Sequence, residues 1–187
     1  MFKILNSIFG LKASKQKIDS ASEKEDLESC FLARLQSSKF IKPEAIDIVM
    51  KHLTHEINLN KTGNKLSVDE KKALGLNTRL SITKELIDIL TPEGIAQTDP
   101  KSILERIFYK ATFENTREKE IQRLRKIGIK TFMLQPSNSE KDCQWCQSMK
   151  DKVLPVSTDI NSLIEENCKC EDWCRSYIYP IVNLETT

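Results

Sequence analysis

Five of the six cysteines in this 187-residue chain stand in its last quarter: Cys143-Gln-Trp-Cys146, a loop of about twenty residues, then Cys168-Lys-Cys170 and Cys174. Thiolates are soft ligands, and two close pairs joined by a short loop can surround a zinc ion tetrahedrally at about 2.3 Å per bond. A C-x-x-C turn also aims backbone amide hydrogens at its sulfurs. Five thiols compete for four places. Cys143 and Cys146 form one pair; the other is Cys168 with Cys170, Cys170 with Cys174, or Cys168 with Cys174. Thiolates can fill every position and no histidine follows His55, so the pattern predicts a closed structural zinc, not a catalytic one that keeps a bound water. A redox C-x-x-C is the alternative, disfavoured because no evident helix follows Gln144-Trp145 and no βαβ pattern surrounds it. An iron–sulfur or metal-free cluster is a third reading.

Other reactive side chains carry less. His52 and His55, followed by Glu56, are spaced i and i+3 but lack a third ligand and do not form H-E-x-x-H, so they read as surface or capping residues. Cys30 falls on the apolar stripe of a helix and reads as core. Arg117, Lys119, Arg123, Arg125, Lys126 and Lys130 make a basic stretch, but Glu114, Glu118 and Glu120 interleave at i,i+3 and i,i+4 spacing. That is the pattern of a solvated helix face rather than a phosphate-binding one. There is no glycine-rich phosphate loop, no G-x-S-x-G and no paired-carboxylate arrangement.

Composition bounds what can hold such a site. Hydrophobic residues make up 39% and charged residues 30%, with a net charge of +2, as in a globular chain with no bias toward polyanions. No apolar run reaches the roughly 18 to 20 residues needed to span a bilayer. The opening Met1–Gly10 lacks a signal-peptide pattern, although Phe2, Leu5, Ile8 and Phe9 could share one helical face and touch a membrane or a partner. Without an export signal the cysteines are expected in a reducing, cytoplasmic compartment, where close thiols hold metal more often than disulfides.

Residues 1–25 read as a flexible or amphipathic leader and residues 26–127 as a domain of four to five helices. Ser22-x-x-Glu25 is a capping box for a helix with the stripe Leu27, Cys30, Phe31 and Leu35. Pro43 opens a second, with Ile46, Val49, Met50, Leu53 and Ile57 on one side. Ser67-x-x-Glu70 and Gly75 bracket a short third helix, Ser81–Leu90 repeats the periodicity, and Thr91-Pro-Glu-Gly94 interrupts it. Asp99-Pro100 starts the last helix, whose stripe of Ile103, Leu104, Ile107, Phe108 and Ala111 lapses at Thr112–Glu120 before Ile121, Leu124 and Ile127 resume it. Either one long helix meets two hydrophobic surfaces, or it breaks near Asn115. Gly128 closes it, and Ile129–Leu134 reads as a strand. Residues 128–187 hold too few large apolar side chains for a core of their own, so a small α+β module needs a staple, and zinc on four of Cys143, Cys146, Cys168, Cys170 and Cys174 supplies one. The expected fold is therefore mainly α, with this module at the C-terminal end.

Residues 117–182 resemble the C-terminal module of the minor head (head morphogenesis) proteins of Mu-like and related tailed phages. The resemblance rests on Gly128-Ile129-Lys130 after a polar helix, Asp142-Cys143-x-x-Cys146, Lys150-Asp151-Lys152-Val153-Leu154, Asn167-Cys168-Lys169-Cys170 and Tyr179-Pro180-Ile181-Val182. That family carries a histidine three residues before its Cys-x-Cys, where this chain has Glu165, and Cys174 is additional. Cys174 then replaces the missing ligand, or the register shifts so that Cys170 takes the histidine position and Cys174 that of the first cysteine. The resemblance implies a phage or prophage head-associated component, virion-associated, with a protein partner. The chain is accordingly expected to be a non-enzymatic, zinc-stabilised interaction or structural protein. A zinc-stabilised nucleic-acid binder, or an enzyme whose site lies in the helical domain, are the alternatives.

Overall fold

The computed structural model describes residues 20–182. The Phe2, Leu5, Ile8 and Phe9 stripe and most of the leader lie outside the described residues. Helix α1 (Ser20–Gln36) already runs through Ser22, so the expected capping box at Ser22 and Glu25 lies inside the helix and does not open it. Phe31 and Leu35 are buried, with Leu27 and Cys30 packed at the edge of the same core.

Pro43–Ala45 form a 3-10 turn that leads into α2 (Ile46–Leu53), whose Val49 and Leu53 are buried. The helix stops before Ile57 because His55 adopts a left-handed conformation (φ 66°). Helix α3 (Val68–Ala73) has both halves of the expected capping box, Ser67 to Glu70 and back. Helix α4 (Lys84–Asp88) is capped by the Thr83 hydroxyl, which accepts from the Leu86 amide at 3.2 Å. The Thr91-Pro92 segment, read as an interruption, instead starts a one-turn helix α5 (Pro92–Ile95). Thr91 accepts from the Gly94 amide and donates to the Lys39 carbonyl at 2.8 Å. With α5 added, the described residues up to Lys126 form six α-helices, where the sequence periodicity gave four to five. Helices as short as α5 have too few repeats to register as a stripe.

Helix α6 (Ser102–Lys126) is continuous through Asn115, which decides between the two alternatives. It starts after Asp99-Pro100; Asp99 accepts from the Lys101 amide but is not the capping residue itself. It ends as expected at Gly128 (φ 80°), where the Gly128 and Ile129 amides donate to the Arg125 and Leu124 carbonyls in a Schellman arrangement. The chain then forms β1 (Thr131–Gln135), α7 (Gln144–Ser148), β2 (Val153–Pro155), α8 (Ile160–Asn167) and β3 (Tyr177–Pro180). The three strands make one antiparallel sheet in the order β2-β1-β3, with Phe132 opposite Leu154 and Pro180. Phe132 and Leu134 face inward, and Met133 lies on the other face.

Two separate cores result. The first joins Phe31, Leu35, Val49, Leu53, Leu86 and Leu90 to Ile103, Leu104, Ile107 and Ala111 of α6. The second joins Ile121 and Leu124 of α6 to Phe132, Leu134, Met149, Ile160, Ile164 and the cysteines. The fold is thus mainly α with a small β-sheet, and the cores divide within α6 rather than at its end.

One close approach in the first core is easily broken. A Cβ added at Gly94 would stand 2.5 Å from the Phe40 carbonyl oxygen, which already accepts the Thr91 amide at 3.0 Å. Backbone cannot give way as a side-chain end can. Gly94→Ala is expected to lower unfolding free energy by about 1–3 kcal/mol in chemical denaturation, and an unchanged midpoint would contradict this packing.

Candidate metal centre

Four of the five C-terminal cysteines converge on one point. Cys143 stands immediately before α7, Cys146 lies within it, and Cys168 and Cys170 follow the end of α8. All four sulfurs lie within 4.8 Å of one another, close enough to hold a metal ion. The closest pairs are Cys146 to Cys168 at 3.5 Å, Cys146 to Cys170 at 3.7 Å and Cys143 to Cys168 at 3.9 Å. A regular tetrahedron with bonds of about 2.3 Å has edges of about 3.8 Å, which these three sulfur separations match. Among the described residues all cysteines are free thiols.

Backbone amides surround the sulfurs. Lys169 N–H donates to Cys143 Sγ at 3.2 Å, Cys143 N–H to Cys170 Sγ at 3.4 Å, and Cys170 N–H to Cys168 Sγ at 3.4 Å. Burial alone would push the Cys143 thiol up, but amide donation from Cys146 and Lys169 brings it down to about 7. Burial dominates at Cys168, which is raised to about 12. These N–H to sulfur bonds suit thiolates and spread negative charge into the backbone.

Cys174 sits outside the group of four. Its sulfur is 3.6 Å from that of Cys146, to which it is hydrogen bonded. Either thiol of that pair can be the donor; the contact with Cys174 and burial shift Cys146 upward. Cys174 is lowered to about 5, chiefly by the Cys146 hydrogen bond and further by the charge of Arg117. Of the three pairings left open by the sequence, Cys168 with Cys170 is the one whose sulfurs group with Cys143 and Cys146.

Asp142, adjacent to Cys143 and buried, accepts from the Ser137 hydroxyl at 2.9 Å and the Ser139 amide at 3.2 Å. This fixes the turn that delivers the first pair. A short helix does follow Cys143, contrary to the sequence reading. The surrounding sheet is nevertheless antiparallel, without a βαβ unit among the described residues, and both Cys143 and Cys146 have a sulfur contact to Cys168 of the second pair.

Glu165 is engaged by the helical body and is not among the four grouped ligands. It accepts from Lys110 at 2.8 Å and Arg34 at 3.2 Å, tying α8 to the helical body. Arg34 also forms a two-pronged ion pair with Glu114. Asp172 makes a parallel clasp with Lys141 at 3.1 Å, Arg175 at 3.4 Å and Arg106 at 3.4 Å. Between these, Trp173 is sandwiched by Tyr109 of α6, with ring centroids 4.5 Å apart, and by the Arg175 guanidinium at 4.2 Å. No spacing rule marked Glu165, Asp172 or Trp173, because each pairs across more than thirty residues of chain or with a neighbour on an irregular segment.

The other sequence candidates are placed elsewhere. His52 Nδ1 accepts from the Leu59 amide at 3.2 Å, and burial pushes its pKa down. His55 packs on Phe108 with centroids 5.5 Å apart. Neither belongs to the cysteine group. The basic stretch is largely engaged with the protein itself: Arg123 pairs with Glu120 at 2.6 Å, and Arg125 donates to the Val156 carbonyl at 2.7 Å. Arg117, read as part of a solvated face, is only 3% exposed. No described helix is long and apolar enough to cross a membrane.

Compared with protein-family models, curated proteins and solved structures, the chain matches none.

The carboxylate clasps give a pH dependence of defined sign. Glu165 is held below its ordinary value by Lys110 and then Arg34, and Asp172 by Lys141. A folded-state pKa below the unfolded one gives stability that is complete above the ordinary carboxylate range and lost as pH falls through the depressed values. Acid titration should therefore show Glu165→Gln and Asp172→Asn to be less stable than wild type at pH 7 and to converge on it below about pH 4. A constant difference across that range would assign the loss to packing instead.

Proposed function

We propose that this chain is a non-enzymatic structural or protein-interaction protein whose C-terminal module is stapled by one zinc ion on Cys143, Cys146, Cys168 and Cys170. The observation that carries this reading is the closure of the sulfur group. Four thiolates complete a tetrahedron and leave no position for the water or substrate that a catalytic zinc needs. All-sulfur ligation from two short-spaced pairs favours zinc over harder divalent ions, which prefer oxygen. Bound there, zinc supplies cross-linking of α7 to the Cys168-Lys169-Cys170 turn; it supplies no reaction chemistry.

The resemblance to phage minor head proteins supports a head-associated role with a protein partner, and it runs through the residues that build this site. Gly128 makes the α6-to-β1 turn, Asp142 fixes the first cysteine pair, and Cys168-Lys169-Cys170 furnishes the second. The departure at Glu165 fits a module in which the fourth ligand is already a cysteine and the glutamate serves as a clasp. The nucleic-acid reading is weaker, since Arg117, Arg123 and Arg125 are occupied by intramolecular acceptors.

Elemental analysis of purified protein is expected to give about one zinc per chain, and chelation should lower the melting temperature by about 10 °C or more. Cys146→Ser should abolish retention, whereas Cys30→Ser and Cys174→Ser should keep it. Because the ligands must be deprotonated, zinc should be released progressively on acidification. Substoichiometric metal together with melting indifferent to chelator would sink the site. For the wider role, affinity capture from the native host should recover a capsid or portal component. Salt-dependent retention on DNA or RNA without such a partner would favour the nucleic-acid alternative.

A further inference from the structure

Among the described residues, Arg117 is the one strongly basic side chain that the fold buries beside the sulfur cluster. It projects from the middle of α6, is only 3% exposed, and lines a small cavity of about 100 Å³ together with Cys168, Cys170 and Cys174. Its hydrogen bonds go to neutral acceptors: Asn161 Oδ1 at 2.9 Å, the Ser176 carbonyl at 3.3 Å and the Cys174 carbonyl at 3.4 Å. Among the described residues no carboxylate accepts a hydrogen bond from it. Glu114, one turn earlier, gives both oxygens to Arg34, and Glu165 is taken by Lys110 and Arg34.

A guanidinium removed from water without a counter-charge costs several kcal/mol, which is why buried cations are almost always paired. Burial is indeed the largest influence on Arg117 and pushes its pKa down, opposed mainly by the charges of Cys174, Glu114, Cys168 and Cys146. The neighbours that offset its burial are thus mostly sulfur. The metal site has the complementary difficulty, because four thiolates around one divalent zinc leave a twofold negative charge in a half-buried position. Amide hydrogens spread part of that charge but carry none of their own.

We propose that Arg117 is the counter-charge of the metal site: its buried guanidinium offsets the net negative charge of the four-thiolate zinc and so makes zinc affinity depend on helix α6. The proposal rests on the zinc reading above. It also assigns a role to the polar interval of α6, which brings one fixed cation from the helical body to the cluster while Asn161 and two tail carbonyls orient it. Arg117 touches no metal and is a positioning and charge-balancing residue.

Zinc affinity measured by competition with a chromophoric chelator tests it. Wild type must first bind one zinc; if it does not, the metal reading fails and this proposal with it. Given binding, Arg117→Met is expected to weaken zinc affinity about 10- to 100-fold, as losses around a metal's own ligands commonly do. Arg117→Lys, which keeps the charge but not the fork, should retain most of the affinity, and Asn161→Ala should behave like it. If Arg117→Met does not fold, Arg117→Gln takes its place in the same titration, since it keeps an amide donor for the carbonyls. Unchanged affinity in the neutral variant overturns the proposal while leaving the zinc site standing. Equal losses in Arg117→Lys and the neutral variant overturn it too, because hydrogen bonding rather than charge would then be responsible.

Discussion

The structure depends on α6 serving two hydrophobic cores with one rigid axis. At 25 residues the helix is about 38 Å long, enough to pass through one core and emerge into another. Residues Ile103, Leu104, Ile107 and Ala111 face the first core, and Ile121 and Leu124 the second. At about 100° per residue these two faces lie roughly a quarter turn apart around the axis. The module is therefore docked beside the body at a defined rotation, and the clasps at Glu165, Asp172 and Trp173 hold that rotation.

The second core is too slight to specify itself. Its fully apolar members are a few residues from α6, β1, α7 and α8, and two of its buried side chains are cysteines. A three-stranded sheet with one of its faces open needs more than this to hold register. A metal on the four sulfurs would join α7 to the turn after α8, which are separated by about twenty residues of chain and are not otherwise joined by a continuous ladder. Such a staple would complement the charge network: it would close the module internally, while the ion pairs fasten the module to α6 and α1.

Much of this was readable from residue spacing where the signal is local. The cysteine pairs, the Ser67 capping box, the Gly128 terminator and the apolar stripes of α1, α2 and the first half of α6 all depend on neighbours within a turn or two. The short helix α5 was not, since one turn capped by Thr91 carries no periodicity. Nor was the continuity of α6 decided by pattern, because a stripe that shifts a quarter turn between cores looks like a stripe that stops. Which of Cys168, Cys170 and Cys174 lie with the first pair depends on the path of the tail, which spacing does not give.

Arg117 shows most clearly why sequence pattern misleads at such a place. Flanked by Glu114, Glu118 and Glu120 it matches a solvated, salt-bridged helix face, and Arg123 with Glu120 fulfils that pattern one and a half turns later. Yet Glu114 is drawn to Arg34 on α1, and the tail carbonyls of Cys174 and Ser176 fold over the guanidinium. The same polar interval that separates the two cores thus supplies a clasp to the first and a buried charge to the second. A helix segment needing neither function could have kept an apolar stripe throughout. The lapse at Thr112–Glu120 is accordingly where the helix changes partners, and its charged residues follow the side chains they meet, not the period of the helix.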